Sequence, residues 1–282
     1  MSDVAPSQRP LVPGVASALS PLVRRILAPN PGFFTGPGTN TYVVGIDEAV
    51  VIDPGPVDDD HLEAILGCGG DRIRWIVLTH THSDHAPGAV PLKERTGAEV
   101  LAFDARDGVE VDATMGDRDV IEATEFRLRA IHTPGHTSNH LSFYLEEERM
   151  LFSGDHIMEG STVVIDPPDG DMSAYLASLE KVRKLRLRSI APGHGQLVPE
   201  PYPLVDEYIE HRLERERQVL EVLDRLAPAT IEQLVPEIYT DLAEELVPLA
   251  GRQAYAHLLK LVDDGRVSAK DADDPTTEWR VA

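Results

Sequence analysis

The segment Thr79-His80-Thr81-His82-Ser83-Asp84-His85 places four potential metal ligands within six residues. His80 and His82 are two apart, so in extended backbone they project to the same side. Asp84 and His85 fall on the turn beyond and can address a second point in space. Neutral imidazole and carboxylate suit zinc and similar divalent ions, with no thiolate needed. A lone histidine here would read as a polar residue capping a sheet; four ligand types at this spacing read as a metal site. Three further candidates each follow a strand-like run: His136 in Thr133-Pro134-Gly135-His136-Thr137, Asp155 in Ser153-Gly154-Asp155-His156, and His194 in Pro192-Gly193-His194-Gly195. Small residues flank all three and permit tight turns. The seven together offer five histidines and two aspartates, enough for two ions sharing one carboxylate.

Side chains so far apart in sequence meet only if rigid elements deliver their loops to one edge. The hydrophobic pattern supplies such elements. Residues 22–28 are strand-like, residues 30–39 are a Gly- and Pro-rich loop, and residues 41–45 with 49–52 read as a hairpin ending at Asp53-Pro54-Gly55. The run Trp75-Ile76-Val77-Leu78-Thr79 is apolar nearly throughout, as in a strand buried on both faces. Residues 61–66 and 88–96 carry helical patterns, and 99–103 a strand. Residues 126–131 alternate with period two, the mark of a half-buried strand, and 141–145 with 149–152 form a second hairpin. An amphipathic helix over 172–187 leads to a short strand at 189–191. After the prolines at 199–203 the pattern is helical from 205. Thr230 and Gln233 form a candidate capping box, a helix spans 252–262, and 266–269 with 277–281 read as strands. The division is therefore a loose lead-in at 1–21, a layered α/β domain at 22–203, and a small helical winged-helix-like domain at 204–282.

Composition narrows the setting. Lys and Arg number 26 against 48 Asp and Glu, giving a net charge of −22 over 282 residues. That field repels polyanions at long range, so a nucleic-acid substrate would need a local basic patch or metal ions. The densest basic run is Lys181, Arg183, Lys184, Arg186 and Arg188. A single cysteine, Cys68, excludes an intrachain disulfide and fits a reducing compartment. No run approaches the ~20 apolar residues of a membrane span. The N-terminal segment lacks the basic-then-apolar order of a secretory signal. A cytoplasmic location with no membrane partner is expected.

The ligand set resembles the signature of the metallo-β-lactamase-fold superfamily: His80-Thr81-His82-Ser83-Asp84-His85 matches its HxHxDH motif, and His136, Asp155 and His194 match its later His, Asp and His. The resemblance covers nearly all of residues 22–200. It implies an α/β fold of the αββα sandwich type with the site at one sheet edge. It further implies that His80, His82 and His136 hold one zinc, that Asp84, His85 and His194 hold the other, and that Asp155 bridges two Zn2+ per chain, with manganese or iron as alternative metals. Two ions about 3.5–4 Å apart lower the pKa of a shared water from 15.7 toward ~7, and the bridging hydroxide attacks carbonyl carbon or phosphorus. Asp84 would then be catalytic as well as a ligand, holding the hydroxide toward the substrate. Pro29-Asn30-Pro31-Gly32 and Gly38-Thr39-Asn40-Thr41-Tyr42, with the helical tail, resemble the beta-lactamase-like protein 2 group, which is associated with endoribonuclease activity.

Other residues carry weaker signals. His140, four residues after His136, reads as a catalytic proton donor or as a residue orienting a ligand. Asp53 reads equally as a partner of a ligand histidine and as a turn former before proline. His61, His132, His156, His211 and His257 read as structural or solvated, and nothing marks Cys68 as a nucleophile. The favoured reading is a binuclear zinc hydrolase of RNA phosphodiesters. A thioesterase of the hydroxyacylglutathione hydrolase type would use the same metals. A non-catalytic, metal-bearing regulatory protein is the third reading, against which the complete ligand set argues. Single-stranded RNA or a small ester or thioester is the expected partner. Specific duplex DNA is not, because the wing turn Asp271-Ala272-Asp273-Asp274 is acidic. The tail reads instead as a packing or substrate-shaping cap and a candidate homodimer contact.

Overall fold

The computed structural model describes residues 10–160 and 162–282, and its long apolar runs form sheets because both faces of each strand have something to pack against. Two units are distinguished. One holds the chain to Thr133, Asn139–Val163 and Leu185–Tyr202; the other holds Pro134–Ser138, Val164–Lys184 and Pro203–Ala282.

In the first unit a seven-stranded sheet runs in chain order: β1 (Ser17–Ala18), β2 (Val23–Leu27), β3 (Asn40–Val44), β4 (Ala49–Ile52), β5 (Ile73–Val77), β6 (Glu99–Ala102) and β7 (Ala113–Thr114). The strands from β4 to β7 pair in parallel, and helices α1 (Asp59–Gly69) and α2 (Ala89–Thr96) make the crossovers between β4 and β5 and between β5 and β6. The second sheet holds β8 (Val120–Glu122), β9 (Arg127–His132), β10 (Leu141–Leu145), β11 (Met150–Gly154) and β12 (Ser189–Pro192), in the order β12-β11-β10-β9-β8. Alternation along each strand sorts its side chains. Val44, Val50, Ile52 and Val77 meet Leu128, Phe143, Leu145 and Phe152 between the sheets. Val43, Val51 and Ile76 face the other way, onto Leu62 and Ile65 of α1 and Leu92 of α2. Strands with two apolar faces lose the period-two signal, which is why β4 and β5 read as continuous runs.

The second unit contains α3 (Met172–Arg183), most of α4 (Pro201–Leu226), α5 (Ile231–Ile238), α6 (Val247–Asp263) and the hairpin of β13 (Val267–Ala269) with β14 (Trp279–Val281). Its core is Val219, Val222, Leu223, Leu234, Leu258, Leu261, Val267 and the fully buried Trp279. At the start of α5 the Thr230 N–H donates to Gln233 Oε1 at 2.9 Å, the reciprocal half of the capping box. Buried Glu216 of α4 pairs with Lys260 of α6 at 2.8 Å and Arg266 at the hairpin's start at 3.0 Å.

Several boundaries differ from the sequence reading. β5 ends at Val77 because Thr79 turns to bond Asp53. Helix α3 stops at Arg183 rather than 187, and the Tyr202 hydroxyl engages Leu185 O at 2.8 Å and Leu187 N at 3.0 Å, backbone groups a longer helix would have used. Helix α4 starts at Pro201, inside the stretch read as a boundary, because the first turn tolerates proline. Strands β1, β7 and β8 are two or three residues long, too short to show a period. Among the described residues no helix is long and apolar enough to cross a membrane.

His257 of α6 lies fully buried, neither ring nitrogen has a hydrogen-bond partner among the described residues, and burial together with the nearby charges of Arg212, Arg215 and Lys260 lowers its pKa to about 3. A histidine depressed in the folded state stays neutral while the unfolded chain takes up a proton below its ordinary 6.5, so stability falls as pH drops from about 6.5 toward 3. Between pH 7 and pH 5 this one residue should remove about 2 kcal/mol. The His257→Leu variant should lose that much less over the same interval, read from urea midpoints; an unchanged acid sensitivity would show that His257 is not the group responsible.

Candidate metal centre

The strand directions bring the ligand loops to one edge. Asp53 follows the C-terminal end of β4, and the His80–His85 loop follows β5, its parallel neighbour. Asp155 and His194 follow the parallel strands β11 and β12 of the other sheet. The two edges are stitched together: Asn40 N donates to Gly193 O at 2.7 Å, Asn40 Nδ2 to Pro192 O at 3.0 Å and to Gly195 O at 2.9 Å, and Gly193 N to Gly154 O at 2.8 Å.

Four donors converge there. His85 Nε2 stands 3.3 Å from His194 Nε2, 3.4 Å from Asp84 Oδ2 and 3.4 Å from Asp155 Oδ1. His194 Nε2 stands 3.2 Å from Asp84 Oδ2 and 3.3 Å from Asp155 Oδ1. Zinc bonds nitrogen and oxygen at about 2.0–2.2 Å, which sets the donor–donor edge of a tetrahedron near 3.3–3.6 Å. These five distances lie at or within about 0.1 Å of that range, so the triads His85–His194–Asp84 and His85–His194–Asp155 each have the spacing of ligands to a divalent ion. Room there is kept by Gly193: a methyl at its Cβ position would come 2.7 Å from Asp155 Oδ1 and 2.8 Å from His85 Cε1. His80 continues the cluster, grouping with His85 and Asp155. His82 is exposed, and its ring centroid lies 4.5 Å from that of His80. His136 belongs to the second unit, where its Nδ1 bonds Val164 O at 2.7 Å, leaving Nε2 as the outward ligand atom.

The rings are held from behind. Asp53 is buried and accepts from Thr79 N at 2.7 Å, from the Thr79 hydroxyl at 2.7 Å and from His85 Nδ1 at 2.9 Å. His194 Nδ1 donates to Gly38 O at 3.2 Å. Both imidazoles therefore present Nε2 to the cluster. Thr41 donates to Asp53 O at 2.6 Å and so accepts from His61 Nε2 at 2.8 Å, which fixes the Asp53 backbone at its left-handed φ of 50°. Burial works to lower the His85 pKa, but Asp155, Asp53 and Asp84 outweigh it and hold the ring well above its ordinary value. Burial likewise pulls His194 down, and Asp155 and Asp84 lift it to about 9. Burial works to raise Asp84 and Asp155, and His85 and His194 hold both carboxylates far below the usual range.

His140 is brought to the site, in a role its position in the chain left open. Its Nε2 accepts the Asp155 N–H at 3.1 Å, so the ring proton lies on Nδ1, directed at the Thr133 hydroxyl 2.9 Å away. This geometry orients the Asp155 loop and leaves no ring proton for a substrate. The basic run is not brought to the site by its first-unit members. Arg186 and Arg188 enter β12 at the end opposite His194, where Arg188 N bonds Arg149 O at the turn of the β10–β11 hairpin. Arg183 pairs with Asp206 at 2.7 Å within the second unit. Burial raises the Cys68 thiol pKa, which keeps it unreactive. Residues that sequence reasoning did not single out include Thr79, Thr41, Thr133 and Asn139. The last donates to Thr81 Oγ1 at 3.1 Å and Asp104 Oδ1 at 3.2 Å, bracing the segment between His80 and His82. Only the placement of Thr79 and Thr133 next to ligand loops hinted at them.

Residues 34–194 match the metallo-beta-lactamase superfamily model and residues 230–279 match the beta-lactamase associated winged helix domain. A beta-lactamase-like protein 2 homolog of Caenorhabditis elegans is 36% identical over 255 residues, covering 86% of this chain and 83% of the relative. An atrochrysone carboxyl ACP thioesterase of Cryptosporiopsis sp. is 29% identical, covering 89% of this chain and 82% of the relative. The crystal structure of a beta-lactamase domain protein from Burkholderia ambifaria shares the fold at a TM-score of 0.82 and 20% identity, covering 98% of this chain and 96% of that one. With its donor cluster at the edge of an α/β sandwich and a winged-helix domain after it, the chain belongs to the metallo-beta-lactamase superfamily and is a metal-dependent hydrolase of that family.

Proposed function

We propose that the chain is a binuclear zinc hydrolase of ester-type bonds whose substrate is a thioester. The observation that carries the metal assignment is that Asp84 and Asp155 each lie 3.2–3.4 Å from both His85 Nε2 and His194 Nε2, which are themselves 3.3 Å apart. In this reading His80, His82 and His136 would hold one ion and Asp84, His85 and His194 a second, with Asp155 shared between them. When bound, the ions would supply a water acidic enough to attack near neutral pH and positive charge for the oxygen that develops in the transition state. Asp84 is the more exposed of the two carboxylates, its side chain 25% accessible against 13% for Asp155. It is therefore the group that accepts the attacking water's proton and keeps a lone pair toward the substrate. Asp155, braced by His140, stays a ligand. Asp53 and Gly38 O hold His85 and His194 in the tautomer that binds a cation. Support for a thioester comes from the relatives named as ACP thioesterases. Support for RNA rests on the sequence resemblance alone, since Arg186 and Arg188 stand at the far end of β12. Parallel assays of the zinc-loaded protein on S-D-lactoylglutathione, other acyl thioesters and single-stranded RNA test the choice. Chelator-sensitive thioester turnover is expected, and RNA cleavage without it would overturn the reading.

Protein purified without chelator should carry about two equivalents of metal per chain. A value near zero after zinc is added would end the binuclear assignment. The Asp155→Ala variant should stay folded by circular dichroism, yet lose activity by more than about a hundredfold, the upper loss seen for a ligand's outer partner serving as the floor. Near wild-type turnover would show that Asp155 does not bridge. Asp53→Asn should weaken zinc about 10–100-fold in chelator competition, because its NH2 group would replace one accepting oxygen and face a donor, either the Thr79 N–H or the His85 Nδ1–H. Unaltered zinc affinity would reduce Asp53 to a turn former.

A further inference from the structure

Helix α1 begins where the Asp58 side chain accepts from His61 N at 2.8 Å, and this cap fixes His61 in the first turn. The imidazole is buried. Its Nε2 lies 2.8 Å from the Thr41 hydroxyl, and that hydroxyl donates to Asp53 O at 2.6 Å. A hydroxyl has one proton to give, so the imidazole is the donor at Nε2. Burial lowers the pKa of the ring to about 4 against the pull of Asp58, so the imidazole is neutral and keeps its single proton for Thr41. A cationic side chain here would need a buried counter-charge; a neutral ring donates without one. The ring supports the loop after β4 a second way. A Cβ built on Gly55 would fall 3.3 Å from His61 Nε2, so the turn at Gly55, with its φ of 80°, lies against the imidazole. Gly55 N in turn donates to His85 O at 2.9 Å.

What this does for the metal centre follows from the backbone of Asp53. Its φ of 50° is a left-handed conformation, which a residue other than glycine keeps where its surroundings hold it. Val77 O accepts the Asp53 N–H at 3.0 Å, and Thr41 takes the Asp53 carbonyl. In that conformation the carboxylate reaches Thr79 N, the Thr79 hydroxyl and His85 Nδ1. A threonine hydroxyl can turn about its C–O bond. One that already accepts from His61 has its own proton directed to Asp53 O. We infer that His61 is a positioning residue of the metal centre: through Thr41 it fixes the Asp53 turn, and so the carboxylate that aims His85 Nε2 at the ion. The inference rests on the zinc reading of the donor cluster. His61 touches neither ion nor substrate; it acts through Thr41 and Asp53.

The test measures zinc affinity of the full chain by chelator competition, with urea midpoints on the same samples. It compares the wild type, His61→Leu, His61→Gln, Thr41→Val and the control Leu62→Ala, the next residue of α1, which packs in the core. His61→Leu should weaken zinc about tenfold, the lower end of the loss for a ligand's outer partner. Thr41→Val, which keeps the shape of the side chain and removes the hydroxyl, should lose as much. His61→Gln, whose amide can donate in place of Nε2, should keep wild-type affinity. Leu62→Ala should lower the urea midpoint and leave zinc affinity unchanged. In the Asp53→Asn background His61→Leu should add little, because both changes act on one carboxylate. Wild-type affinity in either His61→Leu or Thr41→Val overturns the inference while the zinc reading stands; should His61→Leu fail to fold, Thr41→Val decides. An equal loss in His61→Gln or in Leu62→Ala makes the effect one of packing and also overturns it. A full further loss in the Asp53→Asn background overturns the route through Asp53. A wild type that binds no zinc overturns the inference and the zinc reading together.

Discussion

The crowding of two carboxylate oxygens within 3.4 Å of the same two imidazole nitrogens is the constraint on which this architecture turns. Such a cluster is costly to assemble, because each buried charge loses its water. It persists because three of its four donors are fixed from behind. Asp53 holds His85, Gly38 O holds His194, and His140 holds the backbone of Asp155. The chain is thus built to a metal-ligand geometry.

The sheets serve that geometry directly. Two parallel pairs, β4 with β5 and β11 with β12, each send two loops over the same end. The bonds from Asn40 to Gly193 O, Pro192 O and Gly195 O tie the sheets edge to edge, so the donors from one sheet are held against those of the other. Apolar packing between the sheets, centred on Phe143, Phe152, Val50 and Ile52, is what makes this end stiff. The ligand loops themselves contribute little apolar burial. Rigidity is supplied by the core and spent at the edge.

The amino-acid sequence revealed the ligands and the layers, because both rest on local signals. The His80–His85 spacing is readable within six residues, and β4, β5 and α2 announce themselves by composition and period. The supporting contacts were not legible. Thr79 reaches Asp53 across 26 positions and His194 reaches Gly38 across 156, so no periodicity encodes them. The role of His140 was open for the same reason: its spacing from His136 suggested a shared loop, whereas its partner is the backbone N–H of Asp155, on another strand. The basic run illustrates the opposite failure. Proximity in sequence to His194 suggested proximity to the metals, but a strand four residues long separates its two ends by about 13 Å. Arg186 and Arg188 stand at the wrong one.

The distribution of charge ties the centre to its surroundings. Two divalent ions would bring four positive charges against the carboxylates of Asp84 and Asp155, which leaves the centre locally positive inside a chain of net charge −22. The stretch from Ile26 to Asp71 adds no cation to it. Long-range attraction therefore does nothing for a polyanion. Charge concentrated at that one point favours a substrate whose negative charge develops only during reaction, on the oxygen of a carbonyl under attack, over one that carries many charges from the outset. A neutral acyl group would meet that condition; a polyphosphate strand would face the acidic field over its whole length.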